Sequence, residues 1–122
     1  HPRTRARLAA EGLALDAPGV RVLEALGYLD FLALEARAGA VLTDSGGVQE
    51  ETTVLGVPCV TARPNTERPI TLTEGTNRLV ATERGALAAA VRAALATADR
   101  RPRPPALWDG RAAERIVAAI EG

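Results

Sequence analysis

The sequence predicts an α/β fold: a parallel sheet with helices on both faces. Two observations carry this. Short continuous apolar runs alternate with longer segments of helical spacing, the rhythm of strand–helix–strand units. The short runs are also not interleaved with polar residues, as strands buried on both faces require.

Residues 3–11 place alanine and apolar residues at helical spacing, and Val20–Leu23 reads as a short strand. Tyr28–Ala38 reads as a helix with Leu29, Leu32, Ala33 and Ala36 on one face. Ala40–Thr43 is the next strand, ended by Asp44-Ser45-Gly46-Gly47. Val48–Leu55 continues as a helix, which Gly56 stops with Pro58 just beyond. Pro58–Ala62 is a buried strand, followed by the proline-punctuated loop Arg63–Pro69. Asn77–Ala81 is another strand, and Thr82–Thr97 is a long alanine-rich helix. The Pro/Arg-rich stretch within 98–109 reads as a stiff connector. A last helix spans about 110–121, with Ala112, Ile116, Ala119 and Ile120 on one stripe.

Composition narrows the function. The 122 residues suffice for one domain, and 47% apolar with 25% charged is a globular balance. Fifteen basic residues meet fifteen acidic ones, so the chain lacks the basic footprint of a general nucleic-acid binder. No apolar run approaches the roughly 20 residues of a membrane span. A lone cysteine, Cys59, cannot form an internal disulfide, which predicts a reducing, cytoplasmic setting. Methionine is absent, so the chain is expected to be the tail of a longer protein. All fifteen basic residues are arginine, which excludes a Schiff-base lysine or a P-loop.

In open parallel sheets ligands bind at the carboxyl ends of the strands, which directs attention to Leu42–Glu51. There a strand runs into a glycine pair and a helix begins at once. Helix N-termini present free N–H groups and partial positive charge, and glycines let an anion approach the backbone. Ser45 adds a hydroxyl, so Ser45, Gly46 and Gly47 form a candidate phosphate cradle. The alternative is that Ser45 merely caps the helix. Val48 stands three residues on, so no reciprocal capping box forms. Glu50 and Glu51 lie one turn into the helix, where the dipole alone favours carboxylates. One of them is also placed to accept hydrogen bonds from two adjacent sugar hydroxyls. They point about 100° apart on a helix of 3.6 residues per turn, so at most one does so.

The run LTDSGGVQEETTVLGVPCVTARPNTERPITLTEGTNRLV closely resembles the C-terminal half of the non-hydrolysing UDP-N-acetylglucosamine 2-epimerases. The likeness extends from His1-Pro2-Arg3 through GYLDF to WDGRAAERI, and the pairing of TDSGG-x-QEE with RPNTERP is highly specific. Trp108 and Ala62 depart from the family's usual tyrosine and larger apolar residue.

The resemblance implies the C-terminal half of a GT-B architecture, in which two Rossmann-like domains face a cleft. It implies interconversion of UDP-N-acetylglucosamine and UDP-N-acetylmannosamine by elimination and re-addition of UDP with inversion at C2. It implies no metal or redox cofactor and a homodimeric parent, with neither nucleic acid nor membrane as partner. By position, Ser45 and Gly46 would bind the diphosphate, with Gly47 supporting the turn. Glu51 would bind the ribose hydroxyls and Phe31 would lie against the uracil. Arg68 would stabilise departing UDP as the one catalytic residue, with Arg63 a lesser candidate. His1 resembles a histidine near a second, regulatory UDP-N-acetylglucosamine. The C-terminal helix would cross back onto an N-terminal domain that this chain lacks, and the chain alone would be inactive. Two other readings stand beside this one: the donor-binding domain of a GT-B glycosyltransferase, and a stand-alone nucleotide-sugar binding module.

Overall fold

A computed structural model describes residues 2–15, 17–97 and 104–122. His1 and residues 98–103 of the proline-arginine connector lie outside the described residues. The chain divides into two compact units, His1–Phe31 and Leu32–Gly122.

In the first unit, α1 spans Pro2–Ala10, as the periodicity predicts. The expected strand at Val20–Leu23 does not form; residues 20–27 run without regular structure. A strand needs a partner for its ladder, and the described residues supply none here. Val20, Val22 and Leu23 are instead exposed, and Arg5 donates to the Leu23 carbonyl at 3.2 Å while pairing with Glu24 at 2.9 Å. Helix α2, Tyr28–Arg37, begins in this unit and continues into the second.

The second unit is built on three parallel strands: β1, Val41–Thr43; β2, Cys59–Thr61; and β3, Asn77–Leu79. Their order is β1-β2-β3, with Val41 opposite Cys59 and Cys59 opposite Asn77. Every residue of β2 is buried, so the central strand is covered on both faces, and α3 and α5 both pack on it. Strand β1 is an edge, and Leu42 stays 53% exposed, where continuous burial was expected. The α/β class with a parallel sheet is the one predicted.

Helix α3, Gly46–Leu55, starts two residues earlier than the pattern suggests, so both glycines belong to its first turn. Its end is the predicted one. Gly56 takes the left-handed conformation at φ 72°, and the amides of Gly56 and Val57 bond back to Thr53 and Thr52. A single turn, α4 over Ile70–Thr73, follows the proline loop and was not foreseen. Helices α5, Arg84–Leu95, and α6, Ala112–Glu121, match their predicted positions.

Helix α2 corrects an expectation. Leu29, Ala33 and Ala36 are exposed, and Leu32 is half-buried. The residue that α2 buries is Glu35, at 3% exposure. Apolar residues surround most of this helix, so spacing alone does not choose a face; packing selects the edge bearing Leu32, Glu35 and Ala38. The stripe on α6 is likewise uncovered, with Ile116 59% and Ile120 80% exposed.

Candidate nucleotide site

The site begins where β1 ends. Ser45 has extended backbone, φ −82° and ψ 135°, and its side chain makes no capping hydrogen bond. Its own amide donates to Thr43 Oγ1 at 3.0 Å. The capping alternative is therefore not realised, and the Ser45 hydroxyl stands exposed at the strand's carboxyl end. The amides of Gly46, Gly47 and Val48 open the first turn of α3, where no carbonyl lies four residues back within the helix.

Glu67 lies beside this turn. A Cβ built on Gly46 would stand 2.6 Å from Glu67 Oε1, so the carboxylate hangs over the start of α3. Its other oxygen pairs with Arg63 Nη2 at 3.2 Å. The Glu67 carboxyl is held below its ordinary range, first by its own backbone amide and then by Arg63. A carboxylate that lies beside the first turn of a helix and pairs with an arginine occupies a place suited to an anion.

A buried polar network fixes the Arg63–Pro69 loop beside this turn. Gln49, wholly buried on α3, donates from Nε2 to the Ser45 carbonyl at 3.1 Å. Its Oε1 accepts from Thr66 Oγ1 at 2.7 Å and from Asn77 Nδ2 at 2.9 Å. Thr66 Oγ1 in turn accepts the Arg68 amide at 3.0 Å, and the Arg68 carbonyl accepts from Thr71 Oγ1 at 2.7 Å. Asn77 Nδ2 also donates to Thr71 Oγ1 at 3.1 Å, and its Oδ1 accepts from Thr61 Oγ1 at 2.6 Å. Every member is satisfied, the condition under which such a network rigidifies. It ties the carboxyl ends of β1 and β2 to the segment that carries Arg68.

Arg68 itself is paired, but with a different carboxylate from the neighbouring Glu67: its Nε lies 2.9 Å from Glu50 Oε1. Glu50 and Glu51 thus diverge as their helical phase predicts. Glu50 turns to the loop, while Glu51 is half-buried and acts electrostatically on Glu35 of α2. Ser45, Gly46, Gly47, Glu51 and Arg68 all fall in the second unit, on β1–α3 and the following loop. Phe31, 41% exposed on α2, is the last residue of the first. His1 lies outside the described residues.

The sequence reading missed Gln49, Thr66, Asn77 and Glu35. Gln49 and Thr66 sit inside the quoted motifs, and their polarity at helix- and loop-interior positions was the available signal.

A separate recess of about 420 Å³ opens at the amino ends of β2 and β3, lined among others by Pro58, Gly75, Thr76 and Thr97. It contains none of the predicted site residues. Among the described residues no cluster of histidine, cysteine, aspartate and glutamate could hold a metal ion. No helix among them is long and apolar enough to cross a membrane.

Residues 1–121 match the family model for UDP-N-acetylglucosamine 2-epimerase. A UDP-N-acetylglucosamine 2-epimerase of Methanocaldococcus jannaschii is 43% identical over 120 residues, covering 96% of this chain and 32% of that protein. A UDP-2,3-diacetamido-2,3-dideoxy-D-glucuronate 2-epimerase of Pseudomonas aeruginosa is 44% identical over 95 residues, covering 78% of this chain and 26% of that one. The crystal structure of the Methanocaldococcus enzyme in complex with UDP-GlcNAc and UDP superposes with a TM-score of 0.80 at 42% identity, over 99% of this chain and 34% of that one. The chain therefore spans about a third of the length of these relatives.

Proposed function

The chain belongs to the UDP-N-acetylglucosamine 2-epimerase family, and on that premise we propose that it is the UDP-gripping, C-terminal domain of a cytoplasmic, non-hydrolysing enzyme of this kind. The parent interconverts UDP-N-acetylglucosamine and UDP-N-acetylmannosamine, acts as a homodimer and needs no metal or redox cofactor. The observation that carries the reading is the convergence at the start of α3. First-turn amides, the Ser45 hydroxyl and a loop bearing Arg63 and Arg68 are held together by Gln49 and Thr66.

In this reading the diphosphate takes the position over Gly46 that the Glu67 carboxylate occupies. The amides of Gly46 and Gly47 and the Ser45 hydroxyl donate to its oxygens. Glu51 accepts from the two ribose hydroxyls, and Phe31 lies against the uracil, a contact of the kind that contributes about 1–3 kcal/mol.

The chemistry follows from charge. Elimination takes the proton from C2, forms the C1–C2 double bond and breaks the bond from C1 of the sugar to the β-phosphate oxygen, and UDP leaves with an added negative charge. Donors preorganised around that oxygen lower the barrier, and a guanidinium suits a phosphate better than an ammonium does. Arg68 supplies this once it exchanges Glu50 for the β-phosphate. Re-addition of UDP to the glucal intermediate with a proton delivered to the opposite face of C2 inverts that centre. Moving that proton needs acids and bases on both faces of the sugar. The residues gathered here supply UDP contacts and an arginine but no placed general base, so the acids and bases belong to the remaining two-thirds of the parent.

The test is an NMR time course of UDP-N-acetylglucosamine in deuterated water. The parent is expected to place deuterium at C2 and to form UDP-N-acetylmannosamine; this chain alone is expected to do neither. Transfer of the sugar to an acceptor without epimer formation would instead identify a glycosyltransferase.

A further inference from the structure

Glu35 is the buried acid that the proposed chemistry leaves unused. It projects from α2 with 3% exposure, and neither carboxyl oxygen has a hydrogen-bond partner. The acid that faces it is Glu51 on α3. From β2 the neighbouring titratable group is the buried thiol of Cys59, itself raised by burial and, to a lesser degree, by Glu35. Thr52 of α3 and Thr61 of β2 are committed to Cys59 and to the network around Asn77. Glu50 turns away to Arg68.

Two facing carboxylates have no proton between them, so neither can donate, and the Glu35 oxygens stay without a partner. One proton changes this, because a carboxyl O–H can donate to the opposite carboxylate, as in any acid pair too close for both members to ionise. The proton belongs on the more buried member, since burial penalises charge there most.

We propose that Glu35 carries that proton and donates it as a hydrogen bond to the Glu51 carboxylate, making Glu35 the positioning residue for the group that receives the ribose hydroxyls. This rests on the reading of Glu51 given above. The hydrogen bond fixes the orientation of the Glu51 carboxylate from behind. Burial first, and the charge of Glu51 second, push the Glu35 carboxyl up to about 7. The device therefore works below neutrality and fails above it, when Glu35 ionises and the two carboxylates repel.

The experiment has two arms. Infrared spectroscopy of the ligand-free chain at pH 5.5 is expected to show a buried carboxylic-acid C=O band that fades by pH 8.5 and is missing in Glu35→Gln. Absence of that band from the native chain at pH 5.5 overturns the shared proton. The second arm titrates UDP into the native chain, Glu35→Gln and Glu35→Leu at both pH values. UDP's own phosphate ionisation cancels in the ratio of native to variant. Glu35→Gln keeps a neutral donor and is expected to remove the native chain's extra weakening at high pH. Glu35→Leu is expected to bind UDP about tenfold more weakly at pH 5.5, the worth of one hydrogen bond to a charged group, with pyrophosphate binding unchanged. Native-like UDP binding by Glu35→Leu at both pH values overturns the positioning role. If Glu51→Gln leaves UDP affinity untouched while the infrared band persists, the ribose reading has failed and the positioning role falls with it, whereas the shared proton stands.

Discussion

Asn77 Nδ2 donates to Gln49 Oε1 at 2.9 Å, joining β3 to α3 across the buried middle of the second unit. Gln49 reaches the Ser45 carbonyl with its other end and shares Oε1 with Thr66, so one side chain spans the glycine turn and the arginine loop. The geometry of the site depends on this residue more than on any of those expected to touch the ligand.

Gln49→Leu keeps the volume and removes all three bonds. It leaves Thr66, Asn77 and the Ser45 carbonyl short of partners in a buried setting, at about 1–3 kcal/mol for each group left unsatisfied. The expected outcome is a lower denaturation midpoint with UDP affinity reduced beyond what the loss of fold accounts for. Chemical denaturation and UDP titration of the same variant check both parts.

Gly75 tests the packing on which the network sits. A Cβ there would collide with the Thr53 side chain and would stand 2.6 Å from the Thr71 carbonyl oxygen, a backbone atom that cannot step aside. Gly75→Ala is expected to destabilise by about 1–3 kcal/mol through overpacking, with the shape of the UDP titration preserved. A neutral result in a denaturant melt would show that α4 moves more freely than described.

The two adjacent glutamates give the cleanest contrast. Glu51→Gln is expected to weaken UDP by about 1.5–3 kcal/mol, the loss of a charged acceptor for two hydroxyls, while leaving pyrophosphate nearly unaffected. Glu50→Gln is expected to do much less, because its partner is Arg68 and the pair is half-exposed. Calorimetry of both variants with UDP and pyrophosphate decides the assignment; the reverse order would mean that Glu50 holds the ribose.

Stability is expected to depend on pH through Glu35. Its folded-state value, about 7, lies above the ordinary 4.5. The neutral form is thus the one the fold favours. The contribution is full below about pH 4.5 and is lost as pH rises through 7. Glu35→Gln removes that dependence, so its advantage over the native chain in urea melts should grow between pH 5 and pH 8.

Much of the fold was legible because its signals are local. The apolar runs around β1 and β2 and the glycine stop at Gly56 needed only neighbouring residues to interpret. Val20–Leu23 misled for the opposite reason: its residues suit a strand, but a strand exists only where another strand receives it. Helix α2 misled because apolar residues on most sides make its buried face a matter of packing. The placement of Ser45, Gly46 and Glu51 at the start of α3 was legible from the strand–glycine–helix pattern. The links among Gln49, Thr66 and Asn77 were not, since they join three segments far apart in sequence, and no local pattern states which buried polar groups will meet.

The proposed grip of the start of α3 on a uridine diphosphate is open to titration calorimetry of this chain with UDP and with ADP. Saturable but weak UDP binding is expected, since the chain spans about a third of its relatives' length. Clearly weaker ADP binding is expected too, and loss of both when Gly46→Val fills the space beside Glu67. Equal affinity for UDP and ADP, or UDP binding that survives Gly46→Val, would contradict the proposed grip.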